Sequence, residues 1–140
     1  MNYRITLADW STQRVGAEDV RQDVFINEQK IPVDLEWDEM DAVSLHAVAV
    51  DEAGHAVGTG RLLPDGHIGR MAVKIANRNA GIGSAILTEL MQQARQRGHA
   101  AVMLNAQIQV QAFYQRFGFV SESDEFMDAG IPHIHMRYQF

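Results

Sequence analysis

The chain has no cysteine among its 140 residues. Disulfides, thiolate metal ligands and a cysteine nucleophile are thereby excluded. Proline is scarce, with three in all, and no apolar run is long enough to span a bilayer. The opening stretch MNYRITLADWSTQRVGAEDV lacks the charged-then-apolar layout of a signal peptide, so the expected compartment is the cytoplasm. Basic residues are in the minority, 12 against 18 acidic, for a net charge of −6. Without a broad basic face, neither nucleic acid nor an anionic membrane is an expected partner, and a cationic small substrate would be better received.

What is present is an ordinary globular balance, 46% apolar and 21% charged, in a length that suits one domain over residues 1–140. Residues 3–8 alternate as an opening strand, and 12–28 carry a helical pattern with Ser11 as its N-cap. The stretch QKIPVDLEWDEMDAVS reads as an acidic polar loop. Strands follow at 45–51, 56–64 and 67–75. A helix runs from Ile82, with Ile86, Leu90 and Ala94 on one face and Gly98 as its stop. The remainder reads as a strand at 101–106, a short helix at 109–117 and two closing strands, FVSES and HIHMRY, around the loop DEFMDAGIP. The order β-α-β-β-β-α-β-α-β-β describes a mixed sheet with helices on both faces, an α/β domain.

The segment RNAGIGS, Arg78 to Ser84, places two glycines at a helix start. Helix N-terminal amides lack internal partners and carry about half a positive charge, so glycines there let an anion approach. A Walker loop needs Lys-Ser or Lys-Thr after the second glycine, where this chain has Ser84-Ala85. A dinucleotide fingerprint needs a third small residue, where this chain has Ile86, and an acid after the next strand, where it has Asn105. Arg-x-x-Gly-x-Gly after a strand is the signature that survives. A tight helix entry with glycines for packing is the bland alternative.

The stretch GRMAVKIANRNAGIGSAIL, together with AFYQRFGF at 112–119, resembles the GNAT family of acetyl-CoA-dependent N-acetyltransferases. DVFINEQKIPVDLEWDEMD and DAGIPHIHM are similar to its ElaA-like branch. The resemblance implies the GNAT fold, with a mixed central sheet of about six to seven strands between helices. It implies acetyl-CoA as cosubstrate and an amine of a small molecule or peptide as acceptor. The pyrophosphate would lie against Arg78, Asn79, Ala80, Gly81, Ile82, Gly83 and Ser84. Met71, Ala72 and Val73 would bind the pantetheine arm as an added strand and offer an amide to the thioester oxygen.

Without cysteine, direct attack of the amine in a ternary complex is the economical mechanism. By its place in the family pattern Tyr114 is the candidate acid for the leaving thiolate; otherwise it is a rim or core tyrosine. Asn105 stands where many members carry a glutamate and cannot take a proton, so it orients water or substrate. The proton would leave through water to an acid of the loop, with Glu36 slightly preferred over Glu28, Asp38 and Asp41. A solvated acidic loop is the alternative for that stretch. His133 and His135 should share one strand face, with distant His46 the only third ligand in view, so no metal is expected. Arg61 and Arg70 read as exposed strand arginines. The neutral Asn105 also leaves open a silent module that binds coenzyme without turnover. The closing strands leave room for pairing across a homodimer.

Overall fold

The computed structural model describes residues 2–140. Strand β1 (Tyr3–Ala8) leads into helix α1 (Trp10–Arg21). Its N-cap is Asp9, whose carboxylate accepts from the Thr12 amide at 3.0 Å, while Ser11 donates its hydroxyl to that same carboxylate. The cap thus falls two residues before the serine expected to supply it. The helical path continues to Glu28 as a widened π-type segment, Gln22–Glu28. The acidic loop is not featureless: it contains the turn α2 (Val33–Glu36), entered from Pro32, and a 3₁₀ turn at Glu39–Val43 capped by Asp38. Proline fits at such an entry because its missing N–H would be unpaired there in any case.

Strands β2 (Leu45–Asp51), β3 (Ala56–Leu62) and β4 (Ile68–Val73) join β1 in an antiparallel sheet of order β1-β2-β3-β4. Both faces of this sheet are covered, and every residue of β3 is buried. Val48, Ala56 and Ala72 face α1, while Ala47, Ala49 and Val57 face helix α3 (Ile82–Gln96). Helix α3 lies unusually close. A Cβ on Gly58 would stand 2.9 Å from the Ile82 side chain, and one on Gly60 would stand 3.0 Å from Ile86 and 3.1 Å from Leu90. The small residues of AVGTGRL therefore set how near the helix sits to the strand.

Strand β5 (Ala101–Gln107), helix α4 (Gln111–Arg116), β6 (Val120–Ser121), β7 (Phe126–Asp128) and β8 (Ile131–Gln139) build a second antiparallel sheet. In it β5, β6 and β7 all pair with β8. Strand β7 lies inside the stretch expected to be a loop. Its turn places Ala129 and Gly130 at φ 52° and 75°, a tight hairpin in which alanine stands where Asn or Asp usually signals the turn. The fold is the GNAT fold, and the described residues form eight strands divided between two sheets. The sheets meet through one parallel bridge, His67 with Met103, and from there β4 and β5 part. Among the described residues no helix is long and apolar enough to cross a membrane.

Candidate active site

The parting of β4 and β5 leaves β4 as a sheet edge. The Lys74 amide donates to the Val57 carbonyl at 2.9 Å, so strand alternation turns the amide and carbonyl of Val73 away from β3 and into the gap. Arg70 holds φ 49°, and the pairing register slips between Thr59 and Arg61 opposite it. Such a bulge bends an edge strand and re-aims its neighbours. A non-glycine residue kept in the left-handed region is strain that the surrounding structure must hold in place.

Helix α3 begins behind Gly81, whose φ of 82° suits glycine, and no side chain caps it. The Ala85 amide is the first to reach back, to the Gly81 carbonyl at 3.0 Å. The amides of Ile82, Gly83 and Ser84 consequently remain open at the positive end of the helix dipole. A Cβ on Gly83 would meet nothing nearer than Phe113 at 3.7 Å. The protein's own packing thus does not demand this glycine, and its missing side chain keeps the approach to the amides clear. These groups, with Met71, Val73 and Asn79, border a cavity of about 560 Å³. Arg78 is also at its edge, yet engaged: its Nε donates to the Val73 carbonyl at 2.9 Å and its two Nη atoms hold Glu28 at 2.6 and 2.8 Å.

A second cavity, about 280 Å³, opens on the other side of Met71, Val110 and Tyr114, which line both. The Tyr114 ring is 7% exposed and packs edge-on against Phe113 and Phe119. Burial pushes its phenol up to about 12, so it is protonated at neutral pH and can donate. Asn105 lines the second cavity and accepts from His135 Nδ1 at 2.8 Å. His133 also lines it, with Nδ1 donating to the Ile131 carbonyl at 2.7 Å. That carbonyl fixes the proton on Nδ1 and leaves the lone pair on Nε2. Gln107 closes one side by pairing with Gln29 at 2.9 Å.

Behind this cavity lies a buried charge cluster. Arg21 donates to Glu36 at 2.7 Å and to Asp41 at 2.8 Å. Arg61 Nη1 bridges Asp38 at 2.7 Å and Asp41 at 2.8 Å, and its Nη2 holds the other Asp38 oxygen at 2.9 Å. Arg70 reaches Glu36 at 3.3 Å and Asp38 at 3.2 Å. Trp10 and Trp37 flank the Arg21 guanidinium at 5.6 and 4.9 Å. Three cations thus meet three carboxylates. Burial nevertheless raises the Glu36 carboxyl above its ordinary range, against the pull of Arg70, Arg21 and Arg61. Asp38, less deeply placed, is held at about 2, chiefly by its hydrogen bond to Arg61.

This cluster corrects two expectations. The loop acids Glu36, Asp38 and Asp41 are neither a solvated loop nor free to take the amine proton, because arginines from α1, β3 and β4 already occupy them. Arg61 and Arg70 are not exposed strand arginines: Arg61 is 5% exposed and both line the second cavity. The histidines do not converge either. His46 sits in β2 against Trp10, kept neutral by burial, and donates Nε2–H to the Asp41 carbonyl at 2.9 Å. Sequence reasoning gave His133 a minor place and missed Gln29. A histidine alternating with apolar residues on a closing strand was the one available signal.

Two cavities thus meet at one phenol, and one of them is bordered by open helix amides. Comparison with known proteins gives the class of the chain. Residues 17–140 match the family model described as an acetyltransferase (GNAT) domain, and the chain belongs to that family. It is 40% identical over 121 residues to YjcF of Bacillus subtilis, an uncharacterized N-acetyltransferase, covering 84% of this chain and 86% of that one. The crystal structure of an acyl-CoA N-acyltransferase from Pseudomonas aeruginosa superposes with a TM-score of 0.86 at 30% identity, over 97% of this chain and 99% of that one. Escherichia coli ElaA superposes with a TM-score of 0.87 at 25% identity, over 99% of this chain and 100% of that one.

Proposed function

We propose that this acetyltransferase moves the acetyl group of acetyl-CoA onto an amine of a small molecule or peptide, by direct attack within a ternary complex. The observation that carries this reading is the meeting of the two cavities at Met71, Val110 and Tyr114. Bound acetyl-CoA would supply the thioester, an acyl group already activated for attack by nitrogen. The new C–N bond forms as the C–S bond breaks; the amine gives up a proton and the departing sulfur gains one.

The chain's residues fit this donor. Open amides at Ile82, Gly83 and Ser84, with Asn79, Ala80 and Gly81 leading into them, suit a pyrophosphate. The gap-facing edge of Met71, Ala72 and Val73 suits an extended amide-bearing arm. Arg78 joins the phosphate contacts by exchanging Glu28 for them. An edge-strand amide aimed into the gap stabilises the developing oxyanion.

Tyr114 stands where the reacting groups meet. A phenol at about 12 is too weak an acid to hand its proton over fully to a thiolate of ordinary pKa ~8.5. Its part is a hydrogen bond to the charge growing on sulfur, with water completing the transfer. His133 Nε2 is the positioned acceptor for the amine proton, reached directly or through water. Asn105, steadied by His135, orients that water or the amine. Glu36 is assigned to holding Arg21 and Arg70 in place, since its Oε2 accepts from Arg21 and its carbonyl accepts from Arg70.

Thiol release from acetyl-CoA, followed over a panel of amines, tests the reading. Titration of coenzyme A runs alongside. Amine-dependent release at a rate well above hydrolysis is expected. Coenzyme binding without release for any amine would reduce the protein to a silent binding module.

A further inference from the structure

The charge cluster has an uneven outer face. Arg61 Nε is buried and has no hydrogen-bond partner, although Nη1 of the same guanidinium bonds Asp38 and Asp41 and Nη2 gives one bond to Asp38. Arg70 uses Nε and Nη2, both in long contacts at 3.2 to 3.3 Å, so its remaining donors are weakly held. The carboxylates are turned inward. Both Asp38 oxygens and the engaged oxygens of Glu36 and Asp41 point at guanidinium nitrogens. Among the residues lining the second cavity are the cations Arg61 and Arg70, against one carboxylate, that of exposed Asp128.

A buried guanidinium N–H without a partner is costly unless something else supplies the acceptor. Arginine suits a planar anion because its donors form a fixed fork. The strained backbone of Arg70 aims that fork from the edge of the bulge, close to Met71, where the cavities join.

We infer that the acceptor is an amine that also carries a carboxylate, with the carboxylate held by the free donor edges of Arg70 and Arg61 and the amine directed towards Tyr114. This rests on the acetyl-transfer reading and narrows it. The carboxylate takes no part in bond making: C–N forms, C–S breaks, and the amine proton leaves as before. The anion satisfies the orphan Arg61 Nε and draws Arg70 off its long contacts without disturbing the Asp38–Arg61 pair. The overall negative charge of the chain does not oppose this, because the local field in the cleft comes from donors.

The test compares free amino acids and short peptides with their C-terminal amides and their decarboxylated amines, at fixed acetyl-CoA. For the best acceptor, kcat/KM of the carboxylate form should exceed that of its amide by about tenfold or more, as expected for a site that leaves donors unpaired with the analogue. In Arg70→Asn, a residue that tolerates positive φ, the gap should close to within about twofold through a higher KM. Coenzyme affinity of that variant should stay unchanged. Amides or decarboxylated amines used as well as the carboxylates overturn the proposal, and the wild-type protein alone decides this if Arg70→Asn fails to fold. A gap that persists in folded Arg70→Asn also overturns it. Release with no amine of any class, while coenzyme A still binds, removes the acetyl-transfer reading itself.

Discussion

The two halves of the site are built from different material. The proposed coenzyme side is mostly backbone: a strand edge from Met71 to Val73 and helix amides from Ile82 to Ser84, within one continuous stretch. The acceptor side is mostly side chains, brought from α1, the α2 loop, β3, β4, β5 and β8. Backbone donors hold their positions because the strand and helix themselves hold, and a substitution nearby affects access without loosening the fold. The guanidinium and carboxylate groups hold position only through one another, so here stability and recognition share the same residues.

The sharpest test of this contrast is at Arg21. It contacts neither cavity, yet Glu36 and Asp41 both depend on it. Replacing it by methionine leaves Glu36 only its long contact to Arg70 and Asp41 only Arg61, and removing one member of a buried pair costs about 3–5 kcal/mol. Chemical denaturation of Arg21→Met should show a loss of that order. A loss under about 1 kcal/mol would mean the cluster is far more hydrated than its burial indicates.

Tyr114 lies where the halves meet, and its variant separates chemistry from binding. Tyr114→Phe keeps the buried ring and removes the donor. We expect kcat to fall by about tenfold to a hundredfold, the lower part of the range for acid–base assistance, with acetyl-CoA affinity held within a few fold. Unaltered turnover would return Tyr114 to a packing role and leave water as the sole donor to sulfur.

On the coenzyme side, Gly83→Val fills the space in front of the open amides. The Cβ it adds meets only ordinary contacts within the protein, 3.7 Å from Phe113 and 3.8 Å from Val73, so the melting temperature should move little. Coenzyme A affinity should fall by about tenfold, roughly 1.4 kcal/mol. Calorimetric titration checks it, and unchanged affinity in a folded variant would remove the phosphate assignment.

The smallest effect concerns pH. Asp38 is held at about 2 against an ordinary 3.8, first by its hydrogen bond to Arg61. A depressed carboxyl stabilises the fold fully above its unfolded value, and the contribution is lost as pH falls through the folded one. The wild-type melting temperature should therefore drop more steeply than that of Asp38→Asn between about pH 4 and pH 2. Parallel curves would show that the Asp38–Arg61 pair adds nothing. Glu36 acts in the opposite sense: its raised value means that acid does not weaken its contribution in that window.

The same contrast explains what could be read before any coordinates. Helix α3 and its glycine entry were legible because Ile82, Ile86, Leu90 and Ala94 repeat at helical spacing and Gly81 and Gly83 mark where the backbone must be bare. Strands β2 to β4 were legible by alternation and turn residues. The hairpin at Ala129 was not, since alanine carries no turn signal and tertiary pairing with β8 imposes its conformation. The run from Gln29 to Ser44 looked like a solvated acidic loop, because acids are ordinarily exposed. Nothing local announces that Arg21, Arg61 and Arg70 lie against it.

Sequence by itself determined the family, most of the order of elements and the glycine entry of α3, because local periodicity and backbone freedom are properties of neighbouring residues. Only the tertiary structure decided that the sheets part at β4 and β5. It alone turned the acids of the loop into the buried partners of three arginines and left one buried nitrogen of the cavity-lining Arg61 unpaired. Those outcomes depend on charges distant in sequence meeting where water is excluded, and pairing under desolvation is a property of the assembled fold.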